Sequence, residues 1–470
     1  MFHQSGKKPA AVKTAGRFFE KLSVNPFANT GSDAETAKGG KAARSLYTLW
    51  QSAWQYGGSG GCTLSQGTDE AALYAAASFC VTVKIKNGEM LSSGNKTGGK
   101  IRIMHVVQAS GGVDRYLRML FKYMNPDRFE NILVCSAEYR KNDYEGLVSH
   151  FEMLDMGRDI IPSDHSFVRK IRALIKKYKP DIVYAHSSKA GALARWADIG
   201  IKNVCVYNPH GWAFNMRISA GKKKLYRFIE KAAAHFCDKI ICISEFEKRS
   251  ALENRICKDE KLQVICNGVD IEAYKNGMHA AAEKENFKIP RDAFVVGMVS
   301  RIAPQKAPDI FVKAASLIKE KIPGAFFIIV GGGEMEEEVR AMVREAGLGS
   351  SFLITGWVDE PMPYIEIFDV AMLLSRWEGF GLVLAEYMIA ERPIVATGTD
   401  AVPEIVADGK TGILVDVDNP EAVCAAVLKL YENEALRERL GRAGTAEAER
   451  RFNVKRVAAE HEALFEELCG

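Results

Sequence analysis

The chain has 470 residues, 47% hydrophobic and 26% charged, enough for more than one buried core and typical of a water-soluble globular protein. Its net charge of +4 is uneven: residues 1–100 hold twelve Lys/Arg against six Asp/Glu, so the rest carries −2 and is not a nucleic-acid binder by charge. No stretch reaches the ~18–20 apolar residues of a membrane-spanning helix, and residues 71–83 are too short and alanine-rich to serve as one.

The first hundred residues read as a low-complexity, disordered extension dominated by Gly, Ser, Ala, Thr and Lys. Segments 13–22 (Phe18, Phe19, Leu22) and 46–54 (Leu49, Trp50) have amphipathic helical spacing. They allow a peripheral contact with an anionic membrane, against the favoured reading of a tail, or of upstream sequence joined to a frame starting at Met90 or Met104. Asn95-Lys96-Thr97 is a glycosylation sequon only in a secreted protein.

From Ile101 short apolar runs alternate with amphipathic segments, the signature of a parallel sheet wrapped by helices. Strands are predicted at 101–107, 132–135, 182–186, 204–208, 240–244 and 262–266, with helices at 116–124, 167–178, 189–199, 222–236 and 245–254. The charged stretch 280–289 interrupts the rhythm. A second series has strands at 294–299, 326–330, 352–355, 369–374 and 394–396. The expected fold class is α/β: two Rossmann-like domains facing across a cleft, 101–285 and 286–450, with a terminal helix over 452–468. Ligands of open α/β sheets lie beyond the carboxyl ends of the strands.

Ten scattered cysteines show no C-x-x-C pair and no zinc-ligand spacing. Cys205, Cys242 and Cys266 fall in apolar strand-like runs, which predicts buried reduced thiols and a cytoplasmic setting.

Several loops that follow strands carry chemistry. Gly111-Gly112 ends the first strand but fails the G-x-G-x-x-G dinucleotide fingerprint, which disfavours a nicotinamide enzyme. His186-Ser187-Ser188-Lys189-Ala190-Gly191 and Pro209-His210-Gly211-Trp212-Ala213-Phe214 each put a histidine at a strand's carboxyl end. Arg301 and Lys306 flank a helix-opening turn, where an arginine fork and a lysine point charge can clamp a diphosphate. Gly331-Gly332-Gly333 is a tight turn after a strand. Asp416-Val417-Asp418 has the D-x-D form of metal-dependent transferases, yet its place before a helix near Pro420 makes Asp418 a turn or N-cap residue. The run 222–227 is a basic helix face, solvated or turned toward anionic lipid.

The segment 376–406 is the most informative. Glu378 stands in a strand-to-helix loop and Glu386 one turn inside the helix, with Gly379 and Gly381 opening the backbone at a helix start that favours an anion. Carboxylates accept hydrogen bonds from sugar hydroxyls while backbone and cations hold phosphate, the chemistry of a sugar joined to a nucleotide by a diphosphate.

Read whole, E-G-F-G, an aliphatic pair, A-E and the downstream Pro403-Glu404-Ile405 resemble the nucleotide-sugar cassette of the retaining GT-B glycosyltransferases of family 4. The histidine-bearing hexapeptides resemble its branch that builds bacterial surface polysaccharides, and Asn267-Gly268-Val269-Asp270 resembles the element closing the first sheet. The resemblance covers residues 101–470. It implies retaining transfer of a hexosyl group from a nucleotide sugar, UDP-linked, to a glycan or polyprenyl-diphosphate-linked sugar. It casts Arg301, Lys306, Glu378 and His210 as catalytic. Gly111, Gly112, His186, Lys189, Trp212, Gly332, Phe380, Gly381, Leu382 and Glu386 become substrate-binding, with Phe214 helping to shape the acceptor side. The donor domain is the second and the acceptor domain the first, and the helix over 451–470 crosses back. No metal, other cofactor or nucleic-acid partner is expected. The alternatives are a sugar-nucleotide epimerase on the same fold, a phosphorylase, for which no motif is present, and a non-catalytic sugar-nucleotide-binding subunit.

Overall fold

The computed structural model describes residues 99–108, 110–157, 164–277 and 284–470. The expected extension up to residue 98, its amphipathic segments and residues 280–283 of the 280–289 interruption lie outside the described residues.

In chain order, β1 (Ile101–Val106), α1 (Gly112–Tyr123), β2 (Phe129–Cys135), β3 (His150–Met153), α2 (His165–Tyr178), β4 (Ile182–His186), α3 (Ser188–Asp198), β5 (Val204–Asn208), α4 (Ala220–Ala233), β6 (Lys239–Cys242), α5 (Glu245–Glu253) and β7 (Leu262–Val264) build a first parallel sheet with strand order β3-β2-β1-β4-β5-β6-β7. After α6 (Ile271–Lys275) come β8 (Phe294–Val299), α7 (Pro308–Lys321), β9 (Ala325–Val330), α8 (Glu336–Glu345), β10 (Phe352–Ile354), α9 (Met362–Ile365), β11 (Val370–Leu373), α10 (Leu382–Ile389), β12 (Ile394–Thr397), α11 (Val402–Ile405), β13 (Ile413–Val415), α12 (Pro420–Tyr431), α13 (Glu434–Arg451) and α14 (Val454–Cys469). The second sheet is also parallel, in the order β10-β9-β8-β11-β12-β13.

Central strands such as β4 (IVYAH) and β9 (AFFIIV) are buried along their whole length, as strands covered on both faces by helices must be. In each sheet the strand order reverses once, between β1 and β4 and between β8 and β11. Loops leaving adjacent strands there run to opposite faces and open a crevice. Gly111 and His186 stand at the first switch point, Arg301 and Glu378 at the second.

Most element boundaries match the sequence reading within a few residues. The strand read at 240–244 stops at Cys242, because Ser244 turns to cap α5 by accepting from Glu247 N at 3.1 Å. Strand β3 was not anticipated: its sequence, HFEM, is half polar and exposed, and it pairs only with β2 at the sheet edge. Cys205 and Cys242 are buried as expected, whereas Cys266 is only partly covered, since β7 ends before it.

Helix α14 packs on the first sheet. Val269 N donates to Phe452 O at 2.7 Å and Val454 N returns a bond to Val269 O at 3.1 Å. Gly268 is needed there, because a side chain would run into the Phe452 carbonyl and Val457. Beyond this point, Val457, Ala458, Leu464 and Phe465 join the core of the first sheet. We expect Phe465→Ala to cost about 3–5 kcal/mol, the usual loss for a buried aromatic. Denaturant unfolding would measure it, and a loss below about 1 kcal/mol would mean the helix is not docked.

Candidate active site

The loop after β8 carries Arg301 and Lys306. It is held by Ile302 N donating to Gly332 O at 2.9 Å, so the Gly331-Gly332-Gly333 turn lies directly against it. Gly331 (φ 139°) and Gly333 have no room for a side chain, since each would meet this loop's carbonyls. Lys306 ends a short 3₁₀ turn, and its ammonium pairs with the Glu378 carboxylate. The same carboxylate oxygen accepts from Ser375 Oγ at 2.9 Å, and Glu378 N donates to Asp400 at 2.9 Å. Glu378 is buried and held from three sides. Arg301 is 41% exposed, with the Glu334 carboxylate 4.0 Å away.

Helix α10 starts at Gly381, whose φ of 82° suits a residue without a side chain. Leu382 follows as its first residue. The Phe380 ring turns into the core, edge-on to Phe452 at 5.5 Å, so only its backbone faces the loop. Glu386 is buried and paired with Arg115 at 2.8 Å, across from the helix that follows Gly111-Gly112. Burial pushes the Glu386 carboxyl up, Arg115 pulls it down and Glu360 adds to the push. Gly111, with φ 85°, opens α1.

The facing loop belongs to the first sheet. His210 sits in the left-handed region (φ 49°), steadied by its N–H donating to Asn208 Oδ1 at 2.9 Å. Gly211 touches the Glu378 loop: a side chain added at Gly379 would stand 3.1 Å from Gly211 Cα. Ser244 Oγ donates to Gly379 O at 3.1 Å. The two loops with the strongest sequence signals therefore meet. Beneath their contact lies Glu247, whose carboxyl burial pushes up to about 8 against the backbone N–H groups of Ile243 and Gly211, which favour its charged form.

Besides Phe380, three residues read as substrate-binding are placed elsewhere. Trp212 and its stacked neighbour Phe214 lie in the core of the first sheet, and Trp212 Nε1 donates to Glu247 O at 3.0 Å. A large aromatic next to a glycine turn reads as a platform in sequence, but here it plugs the layer under the turn. Lys189 is buried and committed internally, to Asp164 at 3.0 Å and Gly157 O at 2.8 Å. His186 is fully buried behind His210, with its Nδ1 3.0 Å from His210 Nε2. Of the D-x-D, Asp418 is the turn residue (φ 60°) pairing with Arg217 and Arg376, while Asn419 caps α12 by accepting from Ala422 N at 2.9 Å.

Several partners are not legible in local sequence: His105, Asn131 and His461 behind His210, Asp400 behind Glu378, and Arg115 as the partner of Glu386. Each is joined to its site only through contacts between distant segments. A histidine inside the apolar run of β1 was the one available signal.

Similarity to known proteins agrees with this geometry. The model of the group 1 glycosyl transferases matches residues 280–447, and that of glycosyltransferase family 4 matches residues 110–273. An Escherichia coli UDP-Gal:alpha-D-GlcNAc-diphosphoundecaprenol alpha-1,3-galactosyltransferase is 29% identical over 72% of this chain and 90% of its own length. The capsular polysaccharide biosynthesis glycosyltransferase CapM of Staphylococcus aureus is 25% identical over 77% of this chain and 96% of its own. Among solved structures, Anabaena Alr3699/HepE in complex with UDP has a TM-score of 0.64 at 20% identity, covering 78% of this chain and all of the other. With consecutive matches over both halves, on two parallel sheets whose switch points face each other, this chain belongs to the GT-B glycosyltransferases of group 1 and family 4.

Proposed function

We propose that the protein is a retaining hexosyltransferase of bacterial surface polysaccharide synthesis, taking a UDP-linked sugar as donor and a polyprenyl-diphosphate-linked sugar as acceptor. The carrying observation is the meeting of the Lys306–Glu378 pair with the His210-Gly211 loop. Residues 286–450 would hold the donor and 101–285 the acceptor. The names of the relatives, one acting on a diphosphoundecaprenol-linked sugar and one in capsule synthesis, support the acceptor class.

In this reading Arg301 and Lys306 neutralise the diphosphate, Glu378 and Glu386 take hydrogen bonds from hydroxyls of the donor, and His210 contacts the transferred sugar. The bond from the anomeric carbon to the β-phosphate oxygen breaks. The acceptor oxygen bonds to that carbon on the same face, and its proton moves to the departing phosphate oxygen. Cations and backbone amides stabilise the charge as it develops.

Incubating the purified protein with UDP-sugars and an undecaprenyl-diphosphate-linked acceptor, with NMR of the product, tests the assignment. We expect an α-linked product from an α-linked donor. A β-linked product would end the retaining assignment, and sugar isomerised without acceptor would favour an epimerase.

The same reading has two further parts. The leaving group needs no divalent ion, since cations of the chain neutralise it. Activity should then survive EDTA and Asp416→Asn should be mild; loss on chelation restored by Mn²⁺ would overturn this. The setting is the cytoplasmic side of a membrane. Exposed Lys222, Lys224 and Phe228 on α4 offer a basic, partly apolar face to anionic lipid. No helix among the described residues is long and apolar enough to cross a membrane.

A further inference from the structure

One polar side chain from each of three neighbouring strands, and one from the loop after a fourth, form a line across the first sheet. Asn131 of β2, His105 of β1, His186 of β4 and His210, two residues beyond β5, follow the spatial order of their strands. Asn131 Oδ1 lies 3.1 Å from His105 Nε2, His105 Nδ1 lies 3.2 Å from His186 Nε2, and His186 Nδ1 lies 3.0 Å from His210 Nε2. The rings lie edge to edge with their planes nearly aligned, His105 to His186 at 12° and His186 to His210 at 26°. His105 and His186 have no exposed surface and Asn131 is buried. Tyr116 stands edge-on to His210 at 5.0 Å and holds its ring from the side.

Burial keeps these imidazoles neutral, His105 and His210 pushed down to about 3 and His186 well below its ordinary value. A neutral imidazole has one N–H, so a hydrogen bond at one nitrogen fixes the role of the other. An amide oxygen only accepts. His105 must therefore carry its proton on Nε2, leaving Nδ1 bare to accept from His186 Nε2–H. His186 Nδ1 is then bare and accepts from His210 Nε2–H, leaving His210 Nδ1 as a lone pair. Among the described residues no group bonds that nitrogen, and it is not sealed from solvent.

We propose that Asn131, His105 and His186 are positioning residues that fix His210 in the Nε2–H tautomer, so that its Nδ1 accepts a hydrogen bond from a hydroxyl of the bound sugar. The inference rests on the reading above that His210 faces the transferred sugar. It adds the direction of the bond and names a residue three strands away from His210 as its source. The enzyme then selects a sugar by a hydroxyl that donates, which fluorine at the same carbon cannot replace.

Histidine-labelled protein gives the tautomers directly, because ring nitrogens with and without a proton differ widely in ¹⁵N chemical shift. We expect Nε2 protonated and Nδ1 bare in His105, His186 and His210 of the wild-type protein. Asn131→Leu should mix the His210 tautomers and lower kcat about tenfold, the loss of one oriented hydrogen bond. Asn131→Asp, which restores an accepting oxygen, should recover both. With a donor fluorinated at the hydroxyl read by His210, wild-type and Asn131→Leu proteins should transfer at equal rates. A proton on His210 Nδ1 in the wild type, or unchanged tautomers in a folded Asn131→Leu protein, would overturn the relay; the wild-type measurement stands even where that variant does not fold. Tautomers as expected, with His210→Ala leaving transfer of every donor unchanged, would overturn the sugar contact instead.

Discussion

Turnover of Lys306→Ala is expected to fall about 10²–10³-fold, the usual loss when a charge-stabilising group is removed from a dry active site. Lys306 is paired with the buried Glu378, which also accepts from Ser375 Oγ. The substitution therefore acts twice: it removes a cation from the leaving diphosphate and leaves a buried carboxylate without its counter-charge. Kinetics at saturating donor and acceptor, with a melting curve of the same variant, separate the two effects. Activity within about threefold of wild type would reject Lys306 as a phosphate ligand. Lys306→Arg should also lose activity, because the planar guanidinium does not fit where an ammonium is held by one carboxylate oxygen. Among the described residues Arg301 has no such partner within 3.5 Å, so Arg301→Ala should lower turnover with little change in stability.

The second large effect concerns the buried histidines and is a matter of linkage. His461 on α14 donates through Nδ1 to Val457 O at 2.7 Å, so its Nε2 must accept from Tyr116 Oη at 2.8 Å. Burial pushes it down to about 4, while its unfolded value is 6.5. A folded pKa below the unfolded one means that the unfolded chain binds the extra proton. The stabilisation is whole above 6.5 and is lost as pH falls from there toward 4. For this one residue the loss between pH 7 and pH 5 is about 2 kcal/mol.

The pH dependence of the whole protein does not isolate the effect, because Glu247 and Asp198, raised by burial to about 8 and about 7, act in the opposite sense over the same range. A double difference does. The penalty for His461→Gln, measured by denaturant unfolding at pH 7, should shrink by about 2 kcal/mol at pH 5. An equal penalty at both values would show that His461 is charged or exposed in the folded chain.

The amino-acid sequence by itself determined the architecture and the loops that matter. Period-two and continuous apolar runs marked β4, β5 and β8 to the residue, because strands buried on both faces tolerate little else. The spacing of Glu378 and Glu386, and the cations at 301 and 306, were legible because each motif lies within one strand-to-helix unit, whose local geometry sequence dictates.

Tertiary structure alone decided which side chains those loops present. Trp212, Phe380 and Lys189 read as ligand contacts because they sit beside glycines and histidines, yet each faces inward, satisfied by Glu247, Phe452 and Asp164. The line from Asn131 to His210 was invisible for the complementary reason: its members are 24 to 81 residues apart from one neighbour to the next, and come together only because β2, β1, β4 and β5 lie side by side. A buried polar group must find a partner wherever the fold provides one. The partner's identity is therefore a property of strand order and not of local sequence.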